Sequence, residues 1–310
     1  MDSYPLANNP LTEREGSLIP NAPGLSPAIQ SEKRKRELAV SSPGVPRQGR
    51  WVQNAWRLLA LPLLSFFLVP LVVLVFQTTP ARIVASFQDP IVYLALWTSL
   101  KTTLISLVLI LIFGTPLALL LGRYQFRSKS IVDTLIDMPT VLPPSVAGLA
   151  LLLTFGRTGP LGSVLADLHI VLAFSQPAVV MAQIFIAAPY YIRAASLGFA
   201  AIDSEYIQAA QLDGAGRWSI LRYLVFPLAH PALISGALMS WARALGEFGA
   251  TILFAGNFLG RTQTMPMAIY LGFESNLDVA LTLSVILILV SFFSLAGVKA
   301  ITGKASDSQN

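Results

Sequence analysis

The 310-residue sequence has no cysteine, only two histidines (His169 and His230) and little charge, with 12% Asp, Glu, Lys and Arg against 54% apolar residues. Without cysteine there is no disulfide framework, thiolate nucleophile or iron–sulfur site, and the redox compartment cannot be read from cysteine usage. Two histidines are too few for a His-rich metal centre. The scarcity of charge excludes more. A soluble domain carries roughly 25% charged residues, and a charge at the bilayer centre costs about 2.5–3.5 kcal/mol on insertion scales. A mean hydropathy of +0.65 therefore fits a chain solvated by lipid. The charges are also unevenly placed, since residues 1–57 hold 8 Lys/Arg and 5 Asp/Glu. A polar tail leading into an all-α polytopic membrane domain is the organisation implied.

From Met1 to Arg50 the sequence is rich in Pro, Ser, Asn and Gly, and its one dense charge run is Glu32-Lys33-Arg34-Lys35-Arg36-Glu37. Such a stretch buries too little apolar surface to offset its ordering entropy, so residues 1–55 are expected to be a disordered cytoplasmic tail. The basic run can touch anionic lipid headgroups or be solvated as a topology signal. No charged n-region followed by an apolar stretch marks a secretory signal.

Apolar runs long enough for about 30 Å of hydrocarbon occur at Leu58–Phe76, Leu104–Gly122, Ile170–Ile192 and Val279–Val298. Two further runs are compromised: Leu142–Phe155 is short, and Ala232–Phe254 contains Arg243 and Glu247. Charge placement decides whether they count. With six spans and both termini inside, the outer segments keep only Arg82, Lys101, Arg157 and Arg261, and the other cations outside the membrane fall on inner segments. Dropping the short third span would move Arg193, Arg217 and Arg222 outside, against the positive-inside rule. The net charge of +5 is then topological, and no nucleic-acid partner is needed to explain it. Residues 56–302 form the expected transmembrane domain, with residues 303–310 a cytoplasmic C-terminal tail.

Prolines 116, 143, 144, 177, 189 and 231 lie within or at the edge of these spans. An interior proline removes a backbone hydrogen bond, which hydrocarbon tolerates only where neighbouring helices or water re-satisfy the freed carbonyl. Kinked helices packed around a pathway would do so, and so would ordinary kinked packing.

The inner connection over residues 200–228 is too long for a turn. Asp203 or Ser204 can cap a helix that Gly214 and Gly216 stop, and a second amphipathic helix is expected from Arg217 until Pro227. Within it, Gln208-Ala209-Ala210, three residues, Gly214, nine residues, then Leu224-Val225-Phe226-Pro227 resembles the EAA loop of ABC-importer permeases, with Gln208 in place of the usual Glu. That resemblance implies a type I importer permease fold with six transmembrane helices. It also implies that the knob is the coupling helix seated in a groove of the ATP-binding subunit, with Tyr206 and Leu212 as apolar anchors beside Gln208, Ala209, Ala210, Gly214 and Pro227. Alanines allow close helix approach, and glycine gives a sharp turn without a Cβ clash.

The stretches Asp137–Gly148 and Phe155–Gly162 look like the third-span region of molybdate permeases. Trp241–Thr251 and Thr262–Tyr270 are similar to the fifth-span and outer-loop signatures of the molybdate and sulfate permease group. The resemblance covers residues 55–300 and implies import of an oxyanion, molybdate ahead of tungstate, sulfate or thiosulfate. It also implies an extracytoplasmic oxyanion-binding protein, two copies of an ATP-binding cassette subunit and two permease chains, read as a homodimer. No G-x-x-x-x-G-K-[ST] occurs in the sequence, so ATP and Mg are expected on the partner subunit, with no cofactor, metal or catalytic residue on this chain. Arg243 and Glu247, at i and i+4 on one expected helix face, are either a mutually neutralising pair or a pair lining or gating the pathway. An ion-coupled secondary carrier, often built as two repeated halves, would leave the helix–glycine–helix loop unexplained.

Overall fold

The computed structural model describes residues 50–307, with side chains described from 58 to 300, and the chain divides into two units, residues 1–65 and 66–310. The described part of the first unit lies in helix α1, Arg50–Phe76, whose side chains from Leu58 to Val73 are all exposed. An apolar helix with no polar face suits a membrane span. The expected tail, residues 1–55, lies outside the described residues up to residue 49.

The described residues contain helices and no strand. The second unit contains α2 (Pro80–Ser86), α3 (Pro90–Arg123), α4 (Lys129–Val141), α5 (Pro144–Phe155), α6 (Pro160–Asp167), α7 (Gln176–Ala200) and α8 (Ser204–Leu212). It continues with α9 (Arg217–Ile220), a π-helical turn Leu221–Val225, α10 (Phe226–Leu245), α11 (Gly249–Ala255), α12 (Met265–Ser275) and α13 (Leu277–Asp307). Five helical stretches are long and apolar enough to cross a membrane. The pair α4 and α5, bent by 114°, passes the same length and composition test only together, and makes a sixth when counted as one span. The expected run Leu142–Phe155 is occupied by α5, which begins at Pro144 and is joined through the bend to α4. Pro143 and Pro144 explain the bend, because the residue before a proline is driven out of the helical region and Leu142 is extended.

The other expected spans shift at their ends for local reasons. Helix α3 begins at Pro90 and not near Leu104. Its polar residues Ser99, Thr102, Thr103 and Ser106 are buried, and three of these hydroxyls donate to carbonyls one turn back: Thr102 to Thr98 (2.8 Å), Thr103 to Ser99 (2.7 Å) and Ser106 to Thr102 (2.8 Å). Helix α7 starts at Gln176, because His169 and Phe174 hold positive φ in the preceding loop. The helix from Arg217 does not stop at Pro227. Proline fits the second position of α10, and the π turn before it absorbs the missing N–H and ring clash through a Phe226 N–H to Leu221 carbonyl bond. The chain therefore runs helically from Arg217 to Leu245.

Helix α7 is the central post. It packs along α3 and α10, and also against α5 and α11, while α12 and α13 close on α10 and α3. Two of the in-helix prolines, the exposed Pro116 of α3 and the buried Pro189 of α7, sit beside side chains that bond the neighbouring backbone. Near Pro116, the Thr115 hydroxyl donates to the Leu111 carbonyl (2.6 Å) and shares a bond with the Tyr191 hydroxyl (2.6 Å). Near Pro189, the Ser240 hydroxyl donates to the Ala187 carbonyl (2.9 Å). Gly122 lets α3 meet α7 backbone to backbone, since a Cβ there would lie 2.5 Å from the Ser196 carbonyl oxygen and 2.9 Å from the Phe199 Cβ. Gly122→Val should therefore force these helices apart and cost about 1–3 kcal/mol, seen as a lower melting temperature of the purified protein in detergent with unchanged helical content.

Candidate functional site

The first candidate surface is the loop between α7 and α10. The Asp203 carboxylate caps α8 by accepting from the Glu205 N–H (3.0 Å). The helix ends at Leu212, and Gly214 turns the chain at φ +82°, a conformation that costs other residues roughly 1–2 kcal/mol. Ile207, Ala210 and Ala215 pack inward on the core built by α3, α7 and α10. The Arg123 guanidinium, at the end of α3, donates to the Ile202 carbonyl (2.7 Å) and fixes the base of the loop. Tyr206, Gln208, Ala209 and Leu212 are exposed, Leu212 at 88%. Ala210 and its apolar neighbours thus hold the knob, while the other residues of the pattern are raised on it. Pro227 is exposed and lies inside the continuous helix.

The second candidate is the pair Arg243 and Glu247. The two are ion-paired at 3.1 Å, with the Arg243 side chain 29% exposed and Glu247 1% exposed. They do not share a helix face, because α10 ends at Leu245 and Glu247 occupies the break before α11. Its other carboxylate oxygen accepts from the Ala250 N–H (2.8 Å) and caps α11. The break satisfies an orphan donor of α11 and places a compensated carboxylate inside the protein. Two residues before Arg243, the Trp241 indole donates to the Thr103 hydroxyl (3.2 Å) on α3.

Two arrangements are not legible from spacing. Arg193, expected only as an inner-side cation, lies on α7 and bonds both Asp133 (2.6 Å) and Asp137 (2.6 and 2.7 Å) on α4. This fork ties the first half of the broken span to the central post. The i, i+4 spacing of Asp133 and Asp137 on one face was the available signal, but nothing in the sequence says which cation meets them. The second arrangement is a polar seam between α3 and α7. The Ser106 hydroxyl lies 2.9 Å from the Gln183 amide oxygen, and the Gln183 amide nitrogen donates to Thr102 (3.2 Å). Among the described residues no group of three or more His, Cys, Asp or Glu could hold a metal ion.

Comparison with known proteins matches residues 114–301 to the family described as binding-protein-dependent transport system inner membrane component. The chain belongs to this family. The matched region contains the loop with its Gly214 turn, the Arg243–Glu247 pair and the Arg193 fork, and the chain is a multi-pass membrane protein with the importer-permease architecture. A molybdenum transport system permease protein of Mycobacterium bovis is 37% identical over 260 residues, covering 84% of this chain and 97% of the relative. A molybdate/tungstate transport system permease protein of Thermococcus kodakarensis is 35% identical over 195 residues, covering 62% of this chain and 74% of the relative. Among solved structures, a bacterial alginate ABC transporter in complex with a periplasmic protein bound to alginate pentasaccharide has a chain of the same fold, with a TM-score of 0.64. That chain is 17% identical, with 79% of this chain and 92% of that one covered.

In this inner membrane component the Arg193 fork tests how the broken span is held. Arg193→Ala leaves two part-buried carboxylates facing one another and should cost about 1–3 kcal/mol, whereas Arg193→Lys restores one of the two contacts and part of the loss. Thermal unfolding of the three proteins in detergent checks the order.

Proposed function

We propose that this chain is the membrane-spanning subunit of an ATP-driven importer for a tetrahedral oxyanion, with molybdate as its substrate. The observation that carries the reading is the loop of residues 203–227, a short capped helix turned at Gly214 that raises Tyr206, Gln208, Ala209 and Leu212 clear of the bundle. A stem packed on the core and an apolar exposed crest suit insertion into a groove on an ATP-binding subunit, where such crests become the buried anchors of an interface. Both curated relatives described above carry molybdenum or molybdate in their names, and this supports the choice of oxyanion. The sequence lacks a P-loop, so in this reading ATP and Mg are bound and hydrolysed on two partner subunits.

The loop then lies on the cytoplasmic side, with both termini on that side and Arg193, Arg217 and Arg222 near it, in agreement with the positive-inside rule. Helix α10 rises from the loop and brings Arg243 and Glu247 toward the outer half of the membrane, where they line or gate the pathway. A guanidinium already neutralised at 3.1 Å attracts an anion without holding it tightly, which a conduit requires. Selection of the substrate falls to an extracytoplasmic binding protein. Two copies of the chain side by side enclose the pathway, because one set of six spans is small for a closed conduit.

Reconstitution with the ATPase and binding protein in vesicles should give molybdate uptake that requires ATP, with tungstate competing better than sulfate. Uptake that follows an ion gradient without ATP overturns the reading. At Gly214→Trp the new Cβ meets no atom within 4 Å, and the strain is confined to the φ of +82°, about 1–2 kcal/mol, so the protein should still insert, at a level checked in the membrane fraction, yet show no substrate-stimulated hydrolysis; normal coupled uptake refutes the coupling role. Arg243→Ala should lower uptake about tenfold, the worth of one charged contact, at equal protein level, and unchanged transport would remove the pair from the pathway.

A further inference from the structure

The segment leading into α12 carries a polar arrangement that neither the fold nor the coupling loop uses. Thr262 builds the turn: its hydroxyl accepts from the Phe258 N–H (3.0 Å) and donates to the Gly256 carbonyl (3.2 Å), with Gly256 held at φ +69°. The next two residues have no such employment. Gln263 is 5% exposed and Thr264 is 1% exposed, and the Gln263 amide oxygen and the Thr264 hydroxyl are both buried without a hydrogen-bond partner. Thr264 is the residue preceding the 11-residue helix α12, yet its hydroxyl does not cap the helix. Pro266 at the second helical position has no N–H, and the Met265 N–H is taken by the Ser99 hydroxyl of α3 (2.7 Å).

A buried hydroxyl or amide left unpaired costs about 1–3 kcal/mol, so two at adjacent positions call for a partner supplied from outside the chain, a water or an ion. The location favours an anion. The amino end of a helix carries roughly half a positive charge, a hydroxyl donates readily, and a half-turn of the Gln263 amide presents its NH2 in place of its oxygen. The supports of this segment also reach α10, the helix that carries Arg243. Ser99 and Thr103 are one turn apart on α3, the first bonded to Met265 and the second to Trp241, and Met265, Trp241 and Leu245 wall one apolar cavity. Glu247 does not oppose an anion here, because its carboxylate is committed to Arg243 and to the Ala250 N–H.

We propose that Gln263 and Thr264, at the amino end of α12, form a hydrogen-bonding station for the tetrahedral oxyanion in the outer half of the pathway. The station uses neutral donors and a helix dipole and no full cation of its own, so it replaces part of the anion's hydration while allowing release. This deepens the importer reading and rests on it.

The absence of cysteine makes the test direct. Thr264→Cys is the sole thiol of the chain, and in vesicles holding the complete transporter its reaction with methyl methanethiosulfonate is followed by the mass of this subunit during turnover. The station predicts that the thiol reacts, and that molybdate or tungstate slows the reaction while chloride at equal ionic strength does not. A thiol that never reacts, or that reacts equally with and without molybdate, overturns the station. In parallel, Thr264→Val should lower molybdate moved per ATP about tenfold, the worth of one hydrogen bond to a charged group, with docking of the loaded binding protein unchanged, and Thr264→Ser should restore it. Full transport by Thr264→Val also overturns the station while leaving the importer reading intact. An unmodified complex that moves no oxyanion overturns both.

Discussion

Hydrocarbon supplies no hydrogen bonds and little hydrophobic gain between helices, so association of α3 with α7 rests on close approach and on shared polar contacts. Gly122 provides the first, bringing backbones together where any side chain would collide. Ser106, Thr102 and Gln183 provide the second, with every hydroxyl of the seam also tied to its own helix. The rest of the described membrane domain is arranged on this pair. Helix α10 lies against α7, α5 and α11 close on its other side, and the Arg193 fork brings α4 to it. Loss of the seam would therefore disturb more than two helices.

The helix breaks carry the polar chemistry. Backbone that leaves the helical pattern within a bilayer must be bonded by protein or line a cavity, and each break here illustrates the requirement. The double proline between α4 and α5 is braced by the Arg193 fork on its near side. Glu247 fills the gap between α10 and α11 and serves at once as cap and counter-ion. The turn before α12 is built by Thr262, which leaves the Gln263 amide oxygen and the Thr264 hydroxyl unpartnered. At the break before α11 the freed Ala250 N–H is what holds the buried Glu247 carboxylate.

The large features are legible in the sequence because they depend on composition and on short-range spacing. Span number follows from apolar runs weighed against the placement of Lys and Arg, and the cap at Asp203 and turn at Gly214 follow from local conformational preference. Helix ends near polar residues are not legible in this way. Thr98 to Thr103 falls outside the apolar run that begins at Leu104, yet intrahelical bonds from Thr102 and Thr103 to carbonyls one turn back make it compatible with burial. Pro227 reads as a stop, but a π turn needs only one residue more per hydrogen-bonded ring and converts it into a continuation. Arg193 reads as a free cation because its partners lie 56 and 60 residues away. The same distance problem conceals Ser99 and Met265 from one another. What the sequence cannot express is which turn of one helix meets which turn of another.

The continuity of α10 gives the proposed coupling a mechanical basis. From Arg217 to Leu245 the chain is helical for 29 residues, or about 43 Å at 1.5 Å per residue. One end begins just beyond Gly214, and the other ends two residues beyond Arg243 and two before Glu247. A displacement imposed on the loop would thus reach the Arg243 level through a single element. The π turn is where such a rod is softest, since its longer hydrogen-bonded rings and the missing donor of Pro227 lower the resistance to bending. It lies on the loop side of the core, where Val225 and Ala229 are buried against α7 and α3. Bending there would swing the loop while the packed remainder of α10 moves as a unit with Trp241, and Trp241 is bonded to the turn of α3 next to the one that holds Met265. The Arg243 pair and the segment leading into α12 therefore share their supports, and a shift of α10 against α3 would change the spacing between that pair and the unpartnered Gln263 amide oxygen and Thr264 hydroxyl without requiring either helix to unwind.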